Sequence, residues 1–160
     1  MNRRLIPMLA ALAALTLATP YSHAADSTPA PAAAADPLAA ARALIADNKW
    51  AAAIEELKRV DARDNADWNN LMGYSHRKAK SPDYAAAERY YDAALALNPK
   101  HRGALEYSGE LFLMLGDLPR AEQRLAALDK ACFLPCSEYT DLKNAIMKFK
   151  ANGNRVAAQN

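Results

Sequence analysis

The sequence predicts an all-α chain, a row of helix-turn-helix units closed by one further helix. Three observations carry this expectation. Residues 37–151 are dominated by Ala, Leu, Glu, Lys and Arg, with few glycines and no strand-like alternation of polar and apolar residues. A set of apolar positions recurs at an interval of 34 residues. After the last recurrence, a separate segment carries its own apolar stripe at helical spacing.

The N-terminus comes first and bears on compartment. "MNRR" gives a short positive start, "LIPMLAALAALTLAT" an uncharged, mostly apolar run of 15 residues, and "PYSHAAD" small residues at Ser22, Ala24 and Ala25. This order reads as a secretory signal peptide over residues 1–24, cleaved after Ala24 or Ala25. A retained anchor fits less well, because a membrane-spanning helix needs roughly 20 apolar residues. The expected location is therefore periplasmic or secreted, with no membrane insertion once the signal is removed. The whole chain has 20 Lys+Arg against 18 Asp+Glu, and loss of Arg3 and Arg4 balances them at 18 each. Net charge thus gives no reason to expect nucleic acid as a partner.

Residues 25–36, "ADSTPAPAAAAD", contain no large apolar side chain and are expected to form a flexible Ala/Pro-rich linker. The folded domain then runs over 37–151. Within it, "KWAAAIEELKRV" (49–60), "DYAAAERYYDAA" (83–94) and "DLPRAEQRLAAL" (117–128) superimpose without a gap. Trp50, Tyr84 and Leu118 correspond, as do Ala53, Ala87 and Ala121, then Leu57, Tyr91 and Leu125, then Val60, Ala94 and Leu128. Steps of 3, 4 and 3 put each set on one helical face, and the small alanine lets a neighbouring helix come close. Each such helix follows another: "PLAAARALIADNK", "DWNNLMGYSHRKAK" and "RGALEYSGELFLMLG". Gly116-Asp117 is read as a stop followed by an N-cap, and Ser81-Pro82 as N-cap and first helical residue.

On these residues the chain resembles the tetratricopeptide repeat (TPR) family, in which a helix-turn-helix unit stacks into a right-handed superhelical solenoid. The resemblance covers three repeats, at about 37–65, 66–99 and 100–132. Leu105, Gly109, Phe112, Gly116-Asp117, Ala121, Leu125 and Leu128 of the third repeat fall where the family places its signature residues. The second repeat carries Gly73, Ala87, Tyr91, Ala94 and Pro99, and the first keeps mainly its second-helix pattern, as a terminal repeat does. "SEYTDLKNAIMKFKA" (137–151), with Tyr139, Leu142, Ile146 and Phe149 in one stripe, is expected to be a capping helix over the last apolar face, and 152–160 a loose tail.

The resemblance implies a non-catalytic scaffold that binds a protein or peptide in the concave groove lined by the first helix of each repeat. Carried over residue by residue, the groove strip is Leu38, Arg42 and Ile45, then Asn70, Tyr74 and Arg77, then Glu106, Glu110 and Leu113. It is mixed in character, aromatic and basic in the middle and acidic towards the C-terminal side, which suits a peptide with polar and apolar anchors. TPR domains that clamp acidic chaperone tails use several Lys, Arg and Asn residues. The corresponding positions here, Leu38, Arg42, Leu71, Gly103 and Tyr107, keep a charge only at Arg42. An open stack can also self-associate.

No phosphate loop, His-x-x-x-His pair or nucleophile motif is present, so no enzyme, cofactor or metal is expected. A zinc set of His76, His101, Cys132 and Cys136 matches no usual ligand spacing. The two cysteines, in "ACFLPCSEY", bracket the connection into the last helix, for which Ser137 is read as N-cap. In an oxidising compartment they are expected to form a structural disulfide. The alternative function is a thiol-redox or metal-handling accessory protein using this pair.

Overall fold

The structure is a computed structural model that describes residues 36–155, and these residues contain seven helices and no strand. The expected export signal, the linker up to residue 35 and the last five residues of the tail lie outside the described residues. In chain order the helices are α1 (Ala39–Ala46), α2 (Trp50–Val60), α3 (Ala66–Lys78), α4 (Tyr84–Leu97), α5 (Arg102–Met114), α6 (Leu118–Ala131) and α7 (Ser137–Ala151). Consecutive helices pack as hairpins, and α1, α3, α5 and α7 also touch in sequence, forming an inner layer backed by α2, α4 and α6.

The 34-residue interval has a direct structural meaning. Trp50, Tyr84 and Leu118 are each the first residue of an outer helix. The alanines one turn on, Ala53, Ala87 and Ala121, have no exposed surface at all. Leu57 and Tyr91 are equally buried, and Leu125 is half-buried. Small residues on the inner side complete the fit: a Cβ on Gly73 of α3 would stand 2.8 Å from the Tyr91 ring and 3.1 Å from the Ala87 carbonyl oxygen. Only glycine lets α3 lie that close to α4.

The ends of the helices follow local chemistry. Gly116 has φ +77°, a conformation that side-chain-bearing residues rarely adopt, and it ends α5. Asp117 then caps α6, its Oδ1 accepting from the Arg120 amide at 3.1 Å. Before α4 the cap is Asp83 rather than Ser81, accepting from the Ala86 amide at 2.8 Å. The helix starts later than expected because the Asp83 amide still donates back to the His76 carbonyl at 3.1 Å, prolonging the turn. Likewise Cys136, not Ser137, holds the N-cap position of α7, and Ser137 is already helical. Its hydroxyl donates to Glu138 at 3.2 Å.

The core falls into three clusters along the stack. Leu38, Ala41, Leu57, Trp68, Leu71 and Met72 fill the N-terminal end. Ala87, Tyr91, Ala94, Ala104 and Leu111 fill the middle. Phe112, Leu128, Leu142, Ile146 and Phe149 are among those that fill the C-terminal end, so α7 buries its stripe against α5 and α6. Full burial of each large side chain stabilises by about 1.5–3 kcal/mol. Polar links tie successive repeats: Trp68 Nε1 donates to the Leu57 carbonyl at 2.7 Å, and Asp67 meets His101 Nε2 at 2.8 Å, 34 residues away. Cys132 and Cys136 are joined in a disulfide that links the end of α6 to the start of α7.

Candidate binding cleft

Between the C-terminal half of α3 and the exposed side of α5 the inner layer opens into a cleft of about 520 Å³, lined by Tyr74, Arg77, Lys78, Glu106, Tyr107 and Glu110, among others. Helical spacing accounts for the grouping. Tyr74, Arg77 and Lys78 lie within a turn of one another on α3, and Glu106 and Glu110 are i, i+4 on α5, one above the other.

Arg77 organises the centre. Its side chain is 6% exposed, and its Nη1 lies 2.7 Å from Glu110 Oε2. The guanidinium also stands 5.4 Å from the Tyr74 ring centre and 5.5 Å from that of Tyr107, within reach of cation–π attraction. Those two rings are 4.6 Å apart, and Trp50 meets Tyr74 edge-on at 5.7 Å, so the aromatic wall extends to the start of α2. Burial works against the Arg77 charge, but Tyr91, Glu110 and Tyr74 outweigh it and hold the group charged. Arg77 Nε and the Tyr91 hydroxyl are buried without a hydrogen-bond partner.

Glu106 is unlike Glu110. It is 9% exposed and has no hydrogen bond or ion pair among the described residues. Burial pushes its carboxyl up to about 7, helped by repulsion from Glu110, Asp141 and Glu138 and opposed by Arg77. Tyr107 is raised to about 12, chiefly by burial and then by Glu106 beside it.

The expected groove residues are thus divided. Tyr74, Arg77, Glu106 and Glu110 come together in the cleft. Asn70 does not line it: it is 8% exposed and lies against Gly103, where a Cβ would come within 3.1 Å of Asn70 Nδ2. Arg42 is exposed at the N-terminal ends of the inner helices, bonded to Asp36 at 3.3 Å and Asp67 at 2.9 Å. Leu113, expected on the exposed strip, is instead a core residue at 7% exposure, because the packing of α6 and α7 on α5 encloses it in the C-terminal cluster. Leu38 is corrected in the same way, buried beneath α2 and α3. Tyr107 and Lys78 were not expected in the cleft. The signal for Tyr107 was its place among the inner positions compared with chaperone-tail-binding domains, where it was weighed only for its missing charge.

The residues considered for zinc do not assemble. His76 stacks on Tyr90 with ring centres 5.5 Å apart. His101 caps α5, its Nδ1 accepting from the Ala104 amide at 3.0 Å, while its Nε2 engages Asp67. The cysteines are oxidised to the disulfide. None of the helices of the described residues is long and apolar enough to cross a membrane.

Residues 79–146, from the turn after α3 through most of α7, match a family model described as tetratricopeptide repeat. No curated protein matches the chain.

Proposed function

The chain belongs to the tetratricopeptide repeat family, and from that premise we propose that it is an exported, non-catalytic scaffold that holds a protein or peptide partner in its concave groove. Repeats of this family generally mediate protein–protein interaction, which supports the class of function. The observation that carries the groove assignment is the cleft itself. Aromatic faces, a paired arginine and two carboxylates converge from successive inner helices on a surface that core packing leaves open. Export rests on the charged start, short apolar run and small residues of 1–24. It places the partner in the periplasm or outside the cell, where the Cys132–Cys136 bond is stable.

The test is affinity capture from native cell envelopes with the wild-type chain and with Tyr74→Ala/Glu110→Gln. The double variant should lose the captured partner while keeping its helical circular dichroism. Equal capture by both would move the site away from the cleft. Cleavage after Ala24 or Ala25, read by mass spectrometry of the exported protein, tests the location.

A further inference from the structure

We propose that the Glu106–Glu110 side of the cleft is a seat for one cationic side chain, a lysine or arginine of the partner peptide. This rests on the groove reading above and specifies its chemistry.

Charge in the cleft is unevenly matched. The Arg77 guanidinium is already committed to Glu110 and to the faces of Tyr74 and Tyr107. Its Nε is sealed from solvent, so an incoming anion could reach the group only through the Nη atoms, one of which is already held by Glu110. Glu106 is the opposite: nine-tenths buried, lining the cleft, and without a hydrogen-bond or ion-pair partner among the described residues. A buried carboxyl with no counter-charge is an incomplete pair, and a cation completes it.

The surroundings favour the same sign. Glu110 lies one turn along α5, and Glu138 and Asp141 face Glu106 from α7. Arg102 offsets only part of this, standing 3.7 Å from Glu138. Lys78, the last residue of α3, lines the cleft but is exposed and makes no ion pair with Glu106 or Glu110. An anion entering here would meet Glu110 besides Glu106 and feel the repulsion of Glu138 and Asp141 behind them. A lysine or arginine would instead lay its aliphatic stem along the Tyr74 and Tyr107 rings and bring its charge to Glu106.

Two further features fit a seat that is filled only on binding. Glu106 and Glu110 are like charges at i, i+4, an arrangement that weakens a free helix and is relieved by a shared cation. Glu106, about half protonated near pH 7, must lose that proton for the pair to form. Affinity for a cation therefore follows the ionised fraction of Glu106.

The experiment uses the full chain, isotopically labelled for NMR, titrated with three blocked tripeptides that carry lysine, norleucine or glutamate between two glycines. The lysine peptide should shift resonances of Tyr74, Glu106, Tyr107 and Glu110, and bind at least several-fold more tightly than norleucine. Its affinity should fall about tenfold from pH 8 to pH 6, as Glu106 goes from about nine-tenths to about one-tenth ionised. Glu106→Gln should flatten that profile at its weak limit. Equal binding of lysine and norleucine at the cleft would overturn the cation seat while leaving the groove reading intact. So would preference for glutamate, or a pH profile unchanged by Glu106→Gln. If no peptide moves a cleft resonance, the seat is overturned, and the native-partner capture by Tyr74→Ala/Glu110→Gln decides separately whether the groove reading falls with it.

Discussion

The inner and outer layers are built by different rules. The outer helices α2, α4 and α6 repeat one pattern and bury mainly alanine, leucine and one tyrosine. The inner helices α3 and α5 each bury eight residues, and between them hold all six buried polar or charged side chains of the described residues: Asn69, Asn70, Ser75, Arg77, Glu106 and Ser108. An outer helix has one face to satisfy. An inner helix is packed from behind and from both sides, so even the side chains it turns to the groove are largely enclosed. Specific chemistry can therefore be placed there in a low-dielectric setting, at the cost of burying polar groups. The outer layer supplies the spacing and the inner layer the recognition.

The largest break in this contrast comes from removing the side chain that bridges the layers. Trp68→Ala deletes a 3%-exposed ring and its hydrogen bond to the Leu57 carbonyl, and should cost about 3–5 kcal/mol by urea unfolding. Glu55→Ala, on the exposed face of α2, should stay within about 0.5 kcal/mol of wild type. Comparable losses in the two variants would mean that the layers are not distinguished in the way described.

Glu106 sets the next effect. Its folded pKa, about 7, is raised above the usual 4.5, so the folded protein binds the extra proton. The contribution to stability is full below about pH 4.5 and is lost as pH rises through 7, to the extent of at most about 3 kcal/mol. His76 has the opposite sign: burial lowers its pKa, so its contribution is lost as pH falls through the range below 6.5. Wild type minus Glu106→Gln, followed by thermal unfolding between pH 4.5 and 8, isolates the carboxyl. The variant should gain on wild type as pH rises, and a constant difference would count against a buried, unpaired Glu106.

A smaller change sharpens the covalent link between layers. Cys132→Ser/Cys136→Ser opens the short ring that joins outer α6 to inner α7 and should lower stability by about 2 kcal/mol. Hydrogen exchange should quicken first in α7. Unchanged exchange there would make the bond incidental to the cap.

Smallest of all is Tyr91→Phe. The Tyr91 hydroxyl is buried without a hydrogen-bond partner, so its removal should change stability by less than about 1 kcal/mol, in the stabilising direction. A clear loss would show instead that the hydroxyl supports Arg77 from the outer layer.

The same division explains what could be read in advance. Trp50, Ala53 and Leu57 and their counterparts gave away the outer helices because one face recurs under one constraint. The tetratricopeptide resemblance placed Tyr74, Arg77, Glu106 and Glu110 on inner helices, and they do meet in the cleft. It failed for Leu38 and Leu113, because periodicity marks a face but not how much of it the neighbouring helices cover. The pairing of Arg77 with Glu110 rather than Glu106 was equally out of reach, since both glutamates share that face. The cap at Asp83 depended on hydrogen bonds around a turn, which composition does not encode, and Cys136 takes the N-cap position of α7 with no side-chain cap bond at all.

The two ends of the stack also differ mechanically. Each end helix packs on two others and lacks a side-chain cap, but α1 has only eight residues, whereas α7 has fifteen and a covalent clasp. A pull applied through the N-terminal segment would peel the stack from α1 inward, one repeat at a time, since each unit grips only its neighbours. When the first hairpin gave way the cleft between α3 and α5 would lose Trp50 from its aromatic wall but keep Tyr74, Arg77, Tyr107 and both glutamates, so a load on the leading segment would loosen a bound partner before releasing it.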